Sequence, residues 1–188
     1  MAAVLIVPGY GDSGPDHWQT LWQRRHGYAR VEQDDWLEPQ CADWIAAIDR
    51  AVQAATSPVV FVAHSLGCAA VVHWAPLARS GQVAGALLVA LADVESAAHT
   101  PDEVRCFAPL PLARLPFRSI VVASTNDPFM AAARARTFAT AWGADFVDVG
   151  ALGHVNADSG IGDWPAGHAL LAALLAASGH PPASGASR

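Results

Sequence analysis

The 188 residues hold no apolar run long enough to cross a bilayer. The longest, Gly85 to Ala92 and Leu170 to Ala177, fall far short of the roughly 18 to 20 residues that the hydrocarbon core demands. The first residues, Met-Ala-Ala-Val-Leu-Ile-Val-Pro-Gly, lack the basic segment and small-residue cleavage site of a secretory signal, so the expected location is the cytoplasm. Cysteine is scarce, and Cys41, Cys68 and Cys106 show no Cys-x-x-Cys spacing. That excludes a disulfide framework and a zinc knuckle, and leaves buried free thiols as the expectation. Basic clusters are missing and the net charge is −6, which argues against a nucleic-acid partner. No Gly-x-x-x-x-Gly-Lys-Ser/Thr loop and no His-Glu-x-x-His helix occur, so nucleotide hydrolysis and zinc proteolysis lack their equipment, and neither metal nor cofactor is expected. Nothing in the sequence sets an oligomeric state.

What the chain has instead is apolar residues, 53% of the total against 15% charged, a balance suited to strands buried on both faces. Short runs rich in β-branched residues predict strands over Val4 to Val7, Val59 to Ala63, Gly85 to Leu91, Ser119 to Ser124 and Asp145 to Val149, with Tyr28 to Val31 a weaker sixth. Between them, Ala42 to Ala55 sets Trp44, Ile48, Val52 and Ala55 on one helical stripe. Ala131 to Trp142 does the same with Ala135, Phe138 and Trp142 before a stop at Gly143. Asp163-Trp-Pro reads as an N-cap and first-turn proline for a last helix that stops at Gly179. Such alternation predicts one α/β domain over residues 1 to 179, with a mostly parallel sheet of about six strands, helices on both faces and no cap domain; His180 to Arg188 reads as a flexible tail. Ligands of such a sheet collect at the carboxyl ends of its strands. Four prolines between Ala92 and Arg118 predict an irregular crossover, able to wall a substrate site.

The sharpest motif is Val59-Val-Phe-Val-Ala-His-Ser65-Leu-Gly67, a buried strand that turns into a small-residue helical stretch at a serine. So tight a turn requires small residues two before and two after the serine, and Ala63 and Gly67 meet that need. The hydroxyl of Ser65 is then presented above the sheet, with the backbone N–H of Leu66 aimed where an oxyanion would form. The plainer reading is an ordinary N-cap serine. A serine nucleophile needs a base and an acid to orient that base, and in this kind of fold the chain order is serine, acid, histidine. The last two strands end in Asn126-Asp127-Pro128 and Gly153-His154-Val155. Asp127 is therefore the candidate acid and His154 the candidate base. Asp127 has a rival role as a helix cap, and Asp93 is a rival acid.

Gly9-Tyr10-Gly11-Asp-Ser-Gly14 satisfies the spacing of a dinucleotide loop, with Glu32 near the position of a ribose-binding acid, so a dinucleotide-dependent oxidoreductase is an alternative. Pro15 after Gly14 argues that the helix starts too late for it. In the hydrolase reading the same loop supplies a second oxyanion donor, the N–H of Tyr10.

With these residues in view, the chain resembles the small α/β-hydrolase-fold serine hydrolases typified by retinoblastoma-binding protein nine and the bacterial YdeN-like hydrolases. The resemblance rests on Pro8-Gly-Tyr-Gly, Ser13-Gly-Pro-Asp-His-Trp18 with Trp22, His64-Ser-Leu-Gly67, Ser124-Thr-Asn-Asp127-Pro and Gly153-His-Val-Asn-Ala-Asp-Ser-Gly160 with Trp164-Pro. It implies a Ser65, Asp127, His154 triad, no cofactor, and small-molecule ester or amide substrates. Gly9, His17, Trp18, His64 and Asn156 are its candidate substrate contacts, with a core role the alternative for Trp18 and Trp22. The pocket-protein ligand pattern L-x-C-x-E is absent, since Leu66-Gly-Cys68 continues as Ala-Ala. A non-catalytic binding module on the same fold is the further alternative.

Overall fold

The computed structural model describes residues 2–177. The expected stop at Gly179, the domain limit there and the His180 to Arg188 tail lie outside the described residues. Six parallel strands form one sheet in the order β2-β1-β3-β4-β5-β6. They are β1 (Ala3–Val7), β2 (Ala29–Arg30), β3 (Val59–His64), β4 (Val83–Val89), β5 (Ser119–Ala123) and β6 (Asp145–Asp148). Five helices connect or follow them: α1 (Trp18–His26), α2 (Cys41–Ala54), α3 (Leu66–Trp74), α4 (Ala132–Trp142) and α5 (Pro165–Ala177).

The strands bury both faces, and their period of two sorts each side chain to one side. Val59, Phe61 and Ala63 of β3 join a core with α2, α3 and α4, while Val60 and Val62 join a second core with α1 and α5. β4 repeats this, Ala86 and Leu88 on the first face and Leu87 and Val89 on the second. Of the stripes expected from helical spacing, Trp44, Ile48 and Val52 in α2 and Ala135, Phe138 and Trp142 in α4 are buried, and α4 ends at a left-handed Gly143; Ala55 falls outside its helix, as the extended, partly buried residue that follows Ala54.

Other expectations change as well. β4 ends at Val89 rather than Leu91, and Ala90 with φ 50° turns the chain out of the sheet there. Asp163 does not cap α5: Trp164 stands immediately before Pro165, while the Asp163 carboxylate pairs with Arg25 on α1. Of the three thiols only Cys68 is buried; Cys41 is half-buried and Cys106 is exposed, because on the 3-10 turn Asp102–Phe107 it is Val104 and Phe107 that face the core. That turn is the only helical piece of the proline-rich crossover among the described residues. No helix in them is long and apolar enough to cross a membrane.

Candidate active site

Because every strand is parallel, all the strand-to-helix turns on the chemistry-bearing side open at one edge of the sheet. Ser65 follows β3 directly, with φ 54° and ψ −122°, a conformation that non-glycine residues rarely adopt. Its N–H is anchored on the carbonyl of Val89 at the end of β4, 3.0 Å away. Although Ser65 occupies the N-cap position of α3, its side chain makes no cap hydrogen bond. The turn is so close to the β1 loop that a Cβ on Gly67 would collide with the carbonyl oxygens of Val7 and Pro8, and one on Gly9 would lie 2.8 Å from Ser65 Cβ. Both glycines are thus required by close backbone approach.

Ser65 Oγ lies 2.9 Å from His154 Nε2. On the other side of the ring, Nδ1 lies 2.9 Å from Asp127 Oδ1 and 3.0 Å from Oδ2. The Asp127 side chain is 2% exposed, and its Oδ1 also accepts the N–H of Phe129 at 2.9 Å. It does not cap α4, whose N-cap residue is Ala131. Asp93, itself buried, turns away and pairs with the partly exposed Arg134 at 2.6 Å.

His154 belongs to a loop leaving β6, three strands from β3, so it must travel back about 14 Å along the edge. Side chains from elsewhere in the chain meet its backbone along the way. Ser124 Oγ accepts the N–H of Leu152 at 2.9 Å, and Asn126 Oδ1 accepts that of Gly153 at 2.7 Å. His64 Nε2 donates to the His154 carbonyl at 2.9 Å, and Trp18 Nε1 donates to the Val155 carbonyl at 2.8 Å. Val155 is β-branched and has φ 48°, a strain on the order of 1–3 kcal/mol that such contacts must hold.

The model of the serine hydrolase family matches residues 4–173. This chain belongs to that family. It is similar in structure to a YdeN-like hydrolase from Pectobacterium atrosepticum, at 34% identity and TM-score 0.84, over 95% of this chain and 92% of that one. The ydeN gene product of B. subtilis matches at 20% identity and TM-score 0.75, over 94% and 100% of the two chains. The esterase RhEst1 from Rhodococcus sp. ECU1013 shares the fold at 13% identity and TM-score 0.65, over 93% and 90%. No curated protein matches.

In this serine hydrolase a cavity of about 230 Å³ opens over Ser65. Its lining includes Tyr10, Leu66, Ala92, Pro101, Val104 and Asn156, and Phe129, whose ring stands 4.6 Å from that of His154. Apart from that histidine no ionisable group but the Tyr10 phenol borders it among the described residues. The Thr100 hydroxyl is turned away, donating to the Asp93 carbonyl at 2.7 Å and accepting from Arg105 at 2.6 Å. Leu66, as the first residue of α3, has an N–H with no acceptor inside the helix. Asn156 lies in the lining, its side chain held by a reciprocal capping box with Ser159.

His17, Trp18 and His64 do not border the cavity; they are buried behind it. The His17 and His64 rings meet edge-on at 4.7 Å, and those of His64 and His154 lie 4.8 Å apart. Burial, then the Arg30 charge, then His154 pull His17 down to about 3. Burial first, then His154 and His17, hold His64 well below the ordinary histidine range. α1 begins at Trp18, beyond Gly14 and Pro15, so no helix N-terminus faces the glycine loop as a pyrophosphate site requires.

Sequence reasoning missed several supports of this site. Gln19 is completely buried in α1, where its Nε2 donates to the Val62 carbonyl at 2.9 Å and to that of Val7 at 3.3 Å, joining the ends of β3 and β1. Nothing in the pattern of α1 marks that residue. Ser124 and Asn126 stood inside a motif of the resemblance, but their part in holding the histidine loop depends on β5 and β6 being neighbours, which only the fold reveals.

Proposed function

We propose that this protein hydrolyses small, uncharged carboxylic esters, with amides or thioesters as further candidates, through an acyl-enzyme on Ser65. The observation that carries this reading is the unbroken line from the Asp127 carboxylate through both nitrogens of His154 to Ser65 Oγ, at 2.9 Å on each side of the ring. Asp127 fixes the tautomer with its proton on Nδ1, leaving Nε2 free to accept. As Oγ attacks the carbonyl carbon, its proton passes to Nε2, and the carbonyl oxygen becomes an oxyanion held by the N–H groups of Leu66 and Tyr10. The imidazolium returns that proton to the departing alcohol. Water then gives a proton to Nε2 and attacks the acyl carbon, and as this second intermediate collapses the imidazolium returns the proton to Ser65 Oγ, releasing the acid and restoring the serine. The Asp127 carboxylate faces an imidazolium in each of the two tetrahedral intermediates and a neutral ring in the acyl-enzyme. A cavity walled by Ala92, Pro101 and Val104, with no fixed charge other than the transient imidazolium, supports uncharged acyl groups.

The test is covalent labelling by a fluorophosphonate together with turnover of p-nitrophenyl esters. Wild type is expected to label and Ser65→Ala to lose both signals. Ser65→Ala and His154→Ala should lower kcat by roughly 10⁴ to 10⁶, and Asp127→Asn by somewhat less. Wild-type turnover in the serine variant ends the proposal, while an unreactive wild type favours a binding module on the same fold.

A further inference from the structure

We infer that His64 and Trp18 are positioning residues that aim the His154 ring by holding the carbonyls of residues 154 and 155. The inference rests on the reading of His154 as general base and extends it to groups that touch neither substrate nor reacting atoms.

A base carried on a loop from a distant strand has no helix or sheet to fix its ring, yet misplacement by about 1 Å can cost on the order of 10² in rate. Here two consecutive carbonyls of that loop each receive a ring N–H. Carbonyl oxygens only accept, so His64 must carry its proton on Nε2. The donors come from the other components of the site. His64 is the residue before Ser65, and Trp18 opens α1 just after the glycine loop that bears Tyr10. Nucleophile turn, oxyanion loop and base loop are thereby joined through two bonds of 2.9 and 2.8 Å, spanning 90 and 137 residues of sequence.

Burial makes these bonds hard to replace. Trp18 and Val155 are both 0% exposed and His64 is 5% exposed, so water cannot stand in for a lost donor. Val155, with its left-handed φ, is the residue most ready to relax when released, and relaxation there rotates the peptide that carries His154. Trp22 offers a natural comparison. It sits in the same aromatic cluster, 4.6 Å from Trp18, but its indole N–H binds the Asp163 carbonyl, away from the base.

The test measures p-nitrophenyl acetate turnover, the rate of fluorophosphonate labelling and Tm in five proteins: wild type, Trp18→Phe, His64→Leu, His64→Gln and Trp22→Phe. Trp18→Phe and His64→Leu should lose kcat and labelling rate by about 10- to 100-fold with KM within about threefold. His64→Gln, which restores an N–H donor near the position of Nε2, should recover kcat to within about fivefold of wild type. Trp22→Phe should lower Tm while leaving kcat within about twofold. If Trp18→Phe or His64→Leu keeps wild-type kcat, or loses no more than Trp22→Phe, the inference is overturned; equal losses in His64→Leu and His64→Gln overturn it too. Should His64→Leu fail to fold, Trp18→Phe against Trp22→Phe decides. An unreactive wild type would instead overturn the hydrolase reading, and with it any base to position.

Discussion

His17, His64 and His154, the proposed base, stand in a row, His64 between the other two, and burial first of all disfavours the charged form of His17 and His64. For the proposed mechanism the consequence is that an imidazolium at His154 meets an uncharged ring at His64, itself backed by the uncharged ring of His17, rather than a like charge. The consequence for stability has a definite sign. The folded state holds His17 at about 3 against 6.5 for the free side chain, so the unfolded chain binds the proton first as pH falls. His17 therefore contributes its full stability above pH 6.5 and loses about 1.4 kcal/mol per pH unit below it, until the folded group also titrates near 3. His17→Asn keeps an acceptor for the Gln19 N–H, 3.2 Å from Nδ1 in the native protein, and removes the titration. Urea unfolding at pH 7 and pH 5 should show the variant losing about 2 kcal/mol less than wild type over that interval. Equal losses would show that the ring is protonated in the folded state.

Among the elements, the 3-10 turn Asp102–Phe107 is the one through which the proposed substrate choice is best tested, since Val104 borders the cavity while Phe107 roots the turn in the core. Arg105 stiffens it by donating to the Val94 carbonyl at 2.8 Å and to both oxygens of Thr100. In the proposed reaction such a wall would set the length of acyl chain that fits. Val104→Ala should therefore raise kcat/KM for p-nitrophenyl hexanoate relative to the acetate, by roughly tenfold, the scale of one to two methylenes in an apolar pocket. An unchanged ratio would place the acyl group elsewhere. Elements also show what was legible beforehand. Runs such as Val59-Val-Phe-Val-Ala announce strands because burial on both faces demands them, and the small residues around Ser65 announce the turn because nothing larger fits. The Asp163 misreading has a physical cause: Asp-x-Pro has the right composition for a cap, but a partner on α1, Arg25, takes the carboxylate. Contacts that depend on which strands are neighbours, like Asn126 to Gly153, leave no trace in local pattern.

Taken whole, the molecule builds its candidate site from the ends of β1, β3, β5 and β6, with α1 beneath, so no part of the chain carries the site alone. Edge strands are blunted, β2 by its two residues and β6 by exposed Asp145 and Asp148, which discourages strand pairing between molecules. The tryptophans divide between the faces of the sheet. Trp18, Trp22 and Trp164 lie on the α1 and α5 side, and Trp44, Trp74 and Trp142 on the other. Intrinsic fluorescence therefore reports loss of both cores, while under the proposed mechanism fluorophosphonate labelling of Ser65 reports assembly of nucleophile, base and acid. Loops commonly open below the global unfolding free energy. Here the base loop is tied at Leu152, Gly153, His154 and Val155 to side chains of the β5 turn, the β3 turn and α1, and the last two donors are themselves core residues. Opening it exposes Val155 and strips Trp18 of its acceptor, which amounts to opening the α1 side of the core. Labelling and fluorescence are expected to fall together in a urea titration, with coincident midpoints. Labelling lost at distinctly lower urea would show the base loop detaching alone, and would mean that the ring donors beneath it add little to its stability.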